Sequence, residues 1–207
     1  MKTLRLDEIQ GVPVFGTLVW KPVRRELGVT AFGINAYTAA NPGDEVVEDH
    51  TEERLGHEEV YFVVAGRATF TVDGEQVDAP AGTLVYLDEP KQQRSARAAE
   101  AGTTVLAIGG LPGRHEISAW EYFFPALPAA RDGDYERAIA ILQEGIAERG
   151  EHPALLYNLA CFEARAGRPE DALAHLNAAV AGDDAYREYA RDDEDFASIR
   201  DDSRFPG

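Results

Sequence analysis

Short apolar or alternating runs, each closed by a turn signal, fill the chain from residue 33 to residue 110. The run 33–39 ends at Asn41, Pro42, Gly43 and Asp44, the run 60–65 meets Gly66, and the run 68–72 meets Asp73 and Gly74. Then come 76–78, a turn at 79–82, the run 83–87, and the run 103–108 before Gly109 and Gly110. Strands of this length and spacing predict a β-sandwich or barrel, and Asp-Gly between two β-rich runs predicts a tight hairpin. The expected all-β domain covers residues 12–112. Past residue 117 the apolar period becomes 3.6 and Ala, Glu, Leu and Arg dominate, which predicts helices over 117–207. Segment 130–138 aligns with 164–172, so that Gly133 matches Gly167 and Ala138 matches Ala172, both 34 residues apart.

Composition narrows the picture. With 44% apolar residues the chain is an ordinary globular one. The formal net charge is −17, and from Trp120 onward 19 Asp and Glu face 9 Arg and no Lys. Phosphate binding needs clustered cations, so nucleic acid is excluded as a partner. The longest apolar runs fall short of a membrane span, and residues 1–8 lack the apolar core of a signal peptide. One cysteine, Cys161, allows no internal disulfide. The expected location is cytoplasmic, with no membrane partner.

The period of 34 resembles the tetratricopeptide repeat. The resemblance implies two helical hairpins, at about 119–152 and 153–186, and a closing cap at 187–207. In such a hairpin a glycine ends the first helix, and a small alanine on the second lets the two approach. Leu156, Leu159, Ala160, Leu176 and Ala179 fit the pattern, and Pro169 sits where a helix begins. Pro125 and Pro128 are expected to interrupt the first helix. Phe196, Ile199 and Phe205 would close the apolar end. Such an array implies a protein-interaction or dimerisation surface.

The β half resembles the cupin superfamily. Gly74, Pro80 and Gly82 fit the frame of one cupin motif, and Glu59 with Gly66 fits the end of the other. The resemblance implies an antiparallel β-barrel of the jelly-roll (double-stranded β-helix) kind with a metal site inside. Here the metal-binding positions are altered. Val85 stands where that family has a histidine, and no His-x-His pair precedes Glu59; counted from Gly43, the pair falls on Asp49 and Thr51.

What remains for a site is His57, Glu59 and Tyr61, which share one face of a strand, with His50 in the lengthened segment before them and Arg94 as an interior cation. These give a ligand-binding cavity of His57, Glu59, Tyr61 and Arg94. Alternatively, His50, His57 and Glu59 hold a divalent metal (Fe, Zn or Mn), with Glu48, Asp49 or Gln92 as a further donor. A buried carboxylate without a metal must be paired or protonated, so Glu59 demands a partner either way. Cys161, Trp20 and Trp120 are expected as packing residues, and His115, His152 and His175 as exposed ones. Three functions stay open. The first is a small-molecule-binding cupin with a degenerate metal site, taking a small polar ligand and coupled to a helical module for a protein partner or a homodimer. The second is a metal-dependent oxygenase or isomerase in which Tyr61 or Arg94 orients the substrate. The third is an interaction scaffold with a packed barrel.

Overall fold

A computed structural model of the chain describes residues 1–206 apart from Phe15 and Glu116. It divides into two compact units, 1–115 and 116–207.

The first unit opens with β1 (Val12–Pro13), β2 (Val19–Lys21) and a short helix α1 (Val23–Leu27). Eight strands follow: β3 (Gly33–Thr38), β4 (Glu45–His50), β5 (Glu58–Ala65), β6 (Arg67–Val72), β7 (Glu75–Pro80), β8 (Leu84–Leu87), β9 (Arg94–Ala98) and β10 (Thr104–Gly110). They form a six-stranded sheet in the order β1-β2-β3-β10-β5-β8 and a four-stranded sheet in the order β4-β9-β6-β7, with every pairing antiparallel. From β3 onward consecutive strands lie in opposite sheets, except at the hairpin β6–β7. That alternation is the order of an eight-stranded jelly roll. It also corrects the expected barrel. Because every connection from β3 onward but the β6–β7 hairpin carries the chain across to the other layer, the strands build two facing sheets, and among the described residues no ladder joins the sheet edges into a closed barrel. The hairpin turn has the chemistry its sequence predicts, since Asp73 and Gly74 both take positive φ (48° and 88°), as a type I′ turn requires.

Period-2 alternation turns Tyr61, Val63, Phe70, Ala79, Ala96 and Val105 into the space between the sheets, where all are buried. On the outside, Ile9 from the N-terminal segment and Val23 of α1 pack on Ala36 of β3.

The second unit is helical: α2 (Trp120–Arg131), α3 (Tyr135–Arg149), α4 (Pro153–Arg165), α5 (Pro169–Gly182) and α6 (Ala185–Asp192), followed by a 3-10 turn at Glu194–Phe196. The two repeats are visible in the backbone. Gly133 and Gly167 both end a first helix in the left-handed region (φ 80° and 74°), and Ala138 and Ala172 are both fully buried on the second helices. Asp134 caps α3 by accepting from the Arg137 amide. Contrary to expectation, α2 runs unbroken through Pro125 and Pro128. Each proline forfeits one backbone N–H bond, but Ala126 and Ala129 enter the helical core, and that packing keeps the helix whole. Phe196 and Ile199 close the end of the stack as buried residues. No helix among the described residues is long and apolar enough to cross a membrane.

Candidate functional site

The site lies between the two sheets of the first unit. β5 runs through the six-stranded sheet between β10 and β8 and turns Glu59 and Tyr61 inward. β4 belongs to the facing sheet and ends at His50, whose register partner on β9 is Arg94. Between β4 and β5 the chain folds back in a turn held by bonds from the Leu55 and Gly56 amides to the Glu52 carbonyl (3.0 and 2.7 Å). The Glu52 amide donates to the Pro90 carbonyl at 2.8 Å, and Arg94 Nη1 donates to the same oxygen at 3.2 Å. This anchor directs the Glu52 side chain inward. The result is a cavity of about 220 Å³ whose wall includes Tyr37, His50, Glu52, His57, Glu59 and Tyr61.

Polar contacts converge on two carboxylates. The Tyr61 hydroxyl donates to Glu59 Oε2 at 2.5 Å. The same oxygen lies 3.8 Å from His50 Nε2 and 3.7 Å from Arg94 Nε. Glu52 stands between two imidazoles, with Oε1 3.6 Å from His50 Nε2 and Oε2 3.5 Å from His57 Nδ1. His50 Nδ1 donates to the Glu48 carbonyl at 2.9 Å, so that nitrogen carries the proton and Nε2 is the one presented to the carboxylates. Three buried polar atoms at this site make no hydrogen bond among the described residues: Glu52 Oε2, Arg94 Nε and Arg94 Nη2. Such orphans are rare in a folded protein.

The electrostatics follow from this geometry. Burial works against the charge on Glu59, but the contacts from His50, Tyr61 and Arg94 outweigh it and hold the carboxyl below its ordinary range. The contact with Glu59 raises His50, overcoming the opposing effect of burial. Burial drives the Tyr61 and Tyr37 hydroxyls upward, and the surrounding carboxylates push the same way, so both are neutral donors at pH 7.

The sequence-derived residues take distinct places. His50, His57, Glu59 and Tyr61 all line the cavity. Arg94 is fully buried behind Glu59, reaching it as an ion-pair partner and not as part of the cavity wall. Of the further donors, Glu48 lines the cavity, whereas Asp49 accepts from Gln93 Nε2 at 2.6 Å and Gln92 accepts from the Glu89 amide, both away from it. The compact donor group is His50, Glu52 and Glu59, whose ligand atoms lie within 4.8 Å of one another. Glu52 is the residue the sequence reading missed, because a loop's inward turn leaves no periodicity to read. Val85 pairs with Tyr61 across β5 and β8 and packs against the core, an apolar wall at the position where the cupin pattern has a histidine. A packed barrel interior does not fit this polar cavity.

Elsewhere two expectations change. His175 is not a free surface group, because its Nδ1 lies 2.7 Å from the carboxylate of Glu163, which is buried in α4. Trp120 is 57% exposed, stacked on Phe124 with ring centroids 5.1 Å apart, and is not packed into the core. Cys161 is buried, as a packing residue should be, with its thiol 3.7 Å from Asp193.

A tetratricopeptide repeat family model matches residues 129–191. No curated protein matches the chain. Among solved structures, the chain is similar to a cupin protein from Bacteroides fragilis (24% identity, 54% of this chain and 91% of that one, TM-score 0.39). It is also similar to a predicted oxalate decarboxylase from Thermotoga maritima (19% identity, 53% and 99%, TM-score 0.44). A third is a sugar phosphate isomerase of the cupin superfamily from Silicibacter pomeroyi (18% identity, 52% and 74%, TM-score 0.43). The strand order of the N-terminal unit is that of a two-sheet jelly roll, and the tetratricopeptide match falls within the helical unit.

Proposed function

We propose that the jelly-roll unit binds a small polar molecule in the cavity around Glu59, and that the helical unit is an interaction or self-association module. The observation that carries the reading is the convergence of His50, Glu52, His57, Glu59 and the Tyr37 and Tyr61 hydroxyls on one cavity of about 220 Å³, just below the range of drug-sized pockets and suited to a small ligand. A polar cavity of this kind recognises its ligand by hydrogen bonds. The carboxylates and imidazoles accept from hydroxyl or amino groups, and the tyrosines donate. The site residues of this reading are His57, Glu59 and Tyr61 on the wall, with Arg94 fixing Glu59 from behind.

A second reading is a metal-dependent enzyme, and one observation favours it: Glu52 Oε2 is buried beside the His57 imidazole without a hydrogen bond, while Oε1 of the same carboxylate faces His50. Two imidazoles and two carboxylates form a legitimate ligand set for Fe, Zn or Mn. His50, Glu52 and Glu59 would hold the ion, with His57 adjoining. Such an ion, when bound, acts as a Lewis acid on a substrate oxygen. The chain's own residues would then orient the substrate through the Tyr37 and Tyr61 hydroxyls and keep Glu59 ionised through Arg94. Isomerase and decarboxylase appear in the names of similar solved structures, and either class suits a cavity that polarises an oxygen.

The two readings separate by elemental analysis of untagged protein combined with thermal unfolding in Zn²⁺, Mn²⁺ and Fe²⁺. A stoichiometric metal that is lost in Glu52→Gln establishes the second. A metal-free protein whose unfolding ignores all three ions leaves the first.

A further inference from the structure

We propose that two adjoining hollows of the helical unit form one groove for a basic peptide segment. An apolar or aromatic residue of that segment would enter beside Trp120 and Tyr186, and a lysine or arginine would lie between Tyr189 and the carboxylates of Glu188 and Asp192. The inference rests on reading the helical unit as an interaction module and adds the chemistry of its partner.

The first hollow, about 590 Å³, lies among the start of α2, the start of α4 and helix α6, and its wall includes Trp120, Tyr157, Tyr186 and Tyr189. The second, about 460 Å³, shares Tyr157 and Tyr189 with the first and adds Glu188, Asp192 and Asp193. The shared tyrosines make the two hollows one continuous surface. Trp120 and Tyr189 are 57% and 61% exposed, unusual for large rings in a helical array with a well-filled core.

The polar groups of the first hollow are turned to the protein's own backbone. Arg149 donates to the Ile117 carbonyl, His152 Nδ1 accepts from the Ala154 amide at 3.2 Å, and the Asn158 amide donates to the Ala154 carbonyl at 2.8 Å. That leaves ring faces to meet a ligand. In the second hollow the balance reverses. Glu188 and Asp192 stand one turn apart on α6, on one face of the helix, and neither makes an ion pair or hydrogen bond among the described residues. Arg187, the nearest cation in sequence, is drawn away to Asp184 at 3.0 Å, and Arg191 bridges to neither carboxylate. Asp193 adds a third negative charge behind them while accepting from the Tyr157 hydroxyl at 2.7 Å.

Charge complementarity selects the occupant. An acidic segment would meet three carboxylates, and a purely apolar one would desolvate Glu188 and Asp192 without return. A cation gains both the carboxylates and the negative faces of the tyrosine rings. The whole helical half repeats this sign, with 19 acidic residues against 9 Arg and no Lys from Trp120 onward.

The test uses the full chain with Trp20 replaced by Phe, so that Trp120 reports alone. Three synthetic ten-residue peptides share two leucines and a tyrosine and carry three lysines, three serines or three glutamates at the same positions. The lysine peptide is expected to shift Trp120 emission and to bind at least about tenfold tighter than the serine peptide. Its affinity should fall as salt rises, and should drop about tenfold more in E188Q/D192N, a pair of exposed changes that leaves the helical circular dichroism intact. Tyr189→Ala should weaken it as well. Equal binding of the lysine and glutamate peptides overturns the basic-partner assignment while leaving a peptide groove. Failure of all three peptides at about 1 mM overturns the interaction reading itself. Self-association of the free chain that disappears in Tyr189→Ala would assign the groove to a second copy and also overturn the proposal.

Discussion

Arg94, fully buried on β9, stands 3.7 Å from the carboxylate of Glu59 on β5 in the facing sheet. The pair links the two layers at the inner end of the cavity, and it explains how a carboxylate can sit between two sheets and stay ionised. Arg94 has only one hydrogen bond of its own, to the Pro90 carbonyl, so Glu59 is its one anionic partner within 4.0 Å among the described residues.

Removing Glu59 therefore strands a buried cation. Glu59→Leu is expected to destabilise the jelly-roll unit by about 3–5 kcal/mol, the cost of breaking a buried pair. Arg94→Met should cost less, because Glu59 keeps Tyr61 and His50. The double variant should cost less than the sum of the two. Urea unfolding followed by Trp20 emission in a Trp120→Phe background measures all three.

The pairing of His50 with Glu59 sets a pH window. His50 is raised above its ordinary 6.5, so its contribution is fully present below pH 6.5 and is lost as pH rises through the raised value. Glu59 is lowered from its ordinary 4.5, so its contribution is present above pH 4.5 and is lost as pH falls through the lowered value. Stability of the jelly-roll unit should peak between these limits. In His50→Asn the decline on the alkaline side should vanish and the acid side persist, as read from melting temperature against pH.

Gly109 lies opposite Glu59 in the β10–β5 ladder, and a Cβ there would stand 3.2 Å from Glu59 Cγ. Gly109→Ala should leave the unit folded at a cost of about 1 kcal/mol and tilt the Glu59 carboxylate. Its expected signature is a changed His50 titration by NMR, with His175 in the helical unit unmoved.

In the helical unit, His175→Ala removes the one ion-pair partner of the buried Glu163 among the described residues, with an expected loss of about 1–3 kcal/mol. His175 is raised by its hydrogen bond to Glu163, so in the unchanged chain this contribution is present below pH 6.5 and fades as pH rises through the raised value. His175→Ala should abolish that dependence in the melting of the helical unit.

Much of the fold was legible because turns and repeats write themselves locally. Asp73-Gly74 dictates a type I′ hairpin, and Gly133 and Gly167 mark the same helix end twice. Four strands escaped: β1 and β2, of two and three residues, are too short to show a period, and charged residues interrupt the alternation of β4 and β9, with Glu48, Asp49 and His50 in one, Arg94 and Arg97 in the other. Of the polar residues that hid β4 and β9, Glu48, His50 and Arg94 help build the site. His57, Glu59 and Tyr61 were readable as one strand face, whereas Glu52 was not, because it reaches the cavity only through a turn pinned to Pro90 from another part of the chain. That the jelly roll is two open sheets and not a closed barrel was hidden for a related reason. Strand spacing reveals where turns fall, but not whether a turn keeps the chain in one sheet or carries it to the other.

The cavity account is tested most directly by NMR titration of the His50 and His57 ring resonances in the full chain. The probes are small monosaccharides, hydroxy acids and alkyl amines, each added with and without Zn²⁺. The account predicts that at least one class shifts both rings at saturable concentration, leaves His175 unmoved, and loses its effect in Glu59→Gln. Rings that respond to none of the probes, or that respond equally well in Glu59→Gln, would contradict it.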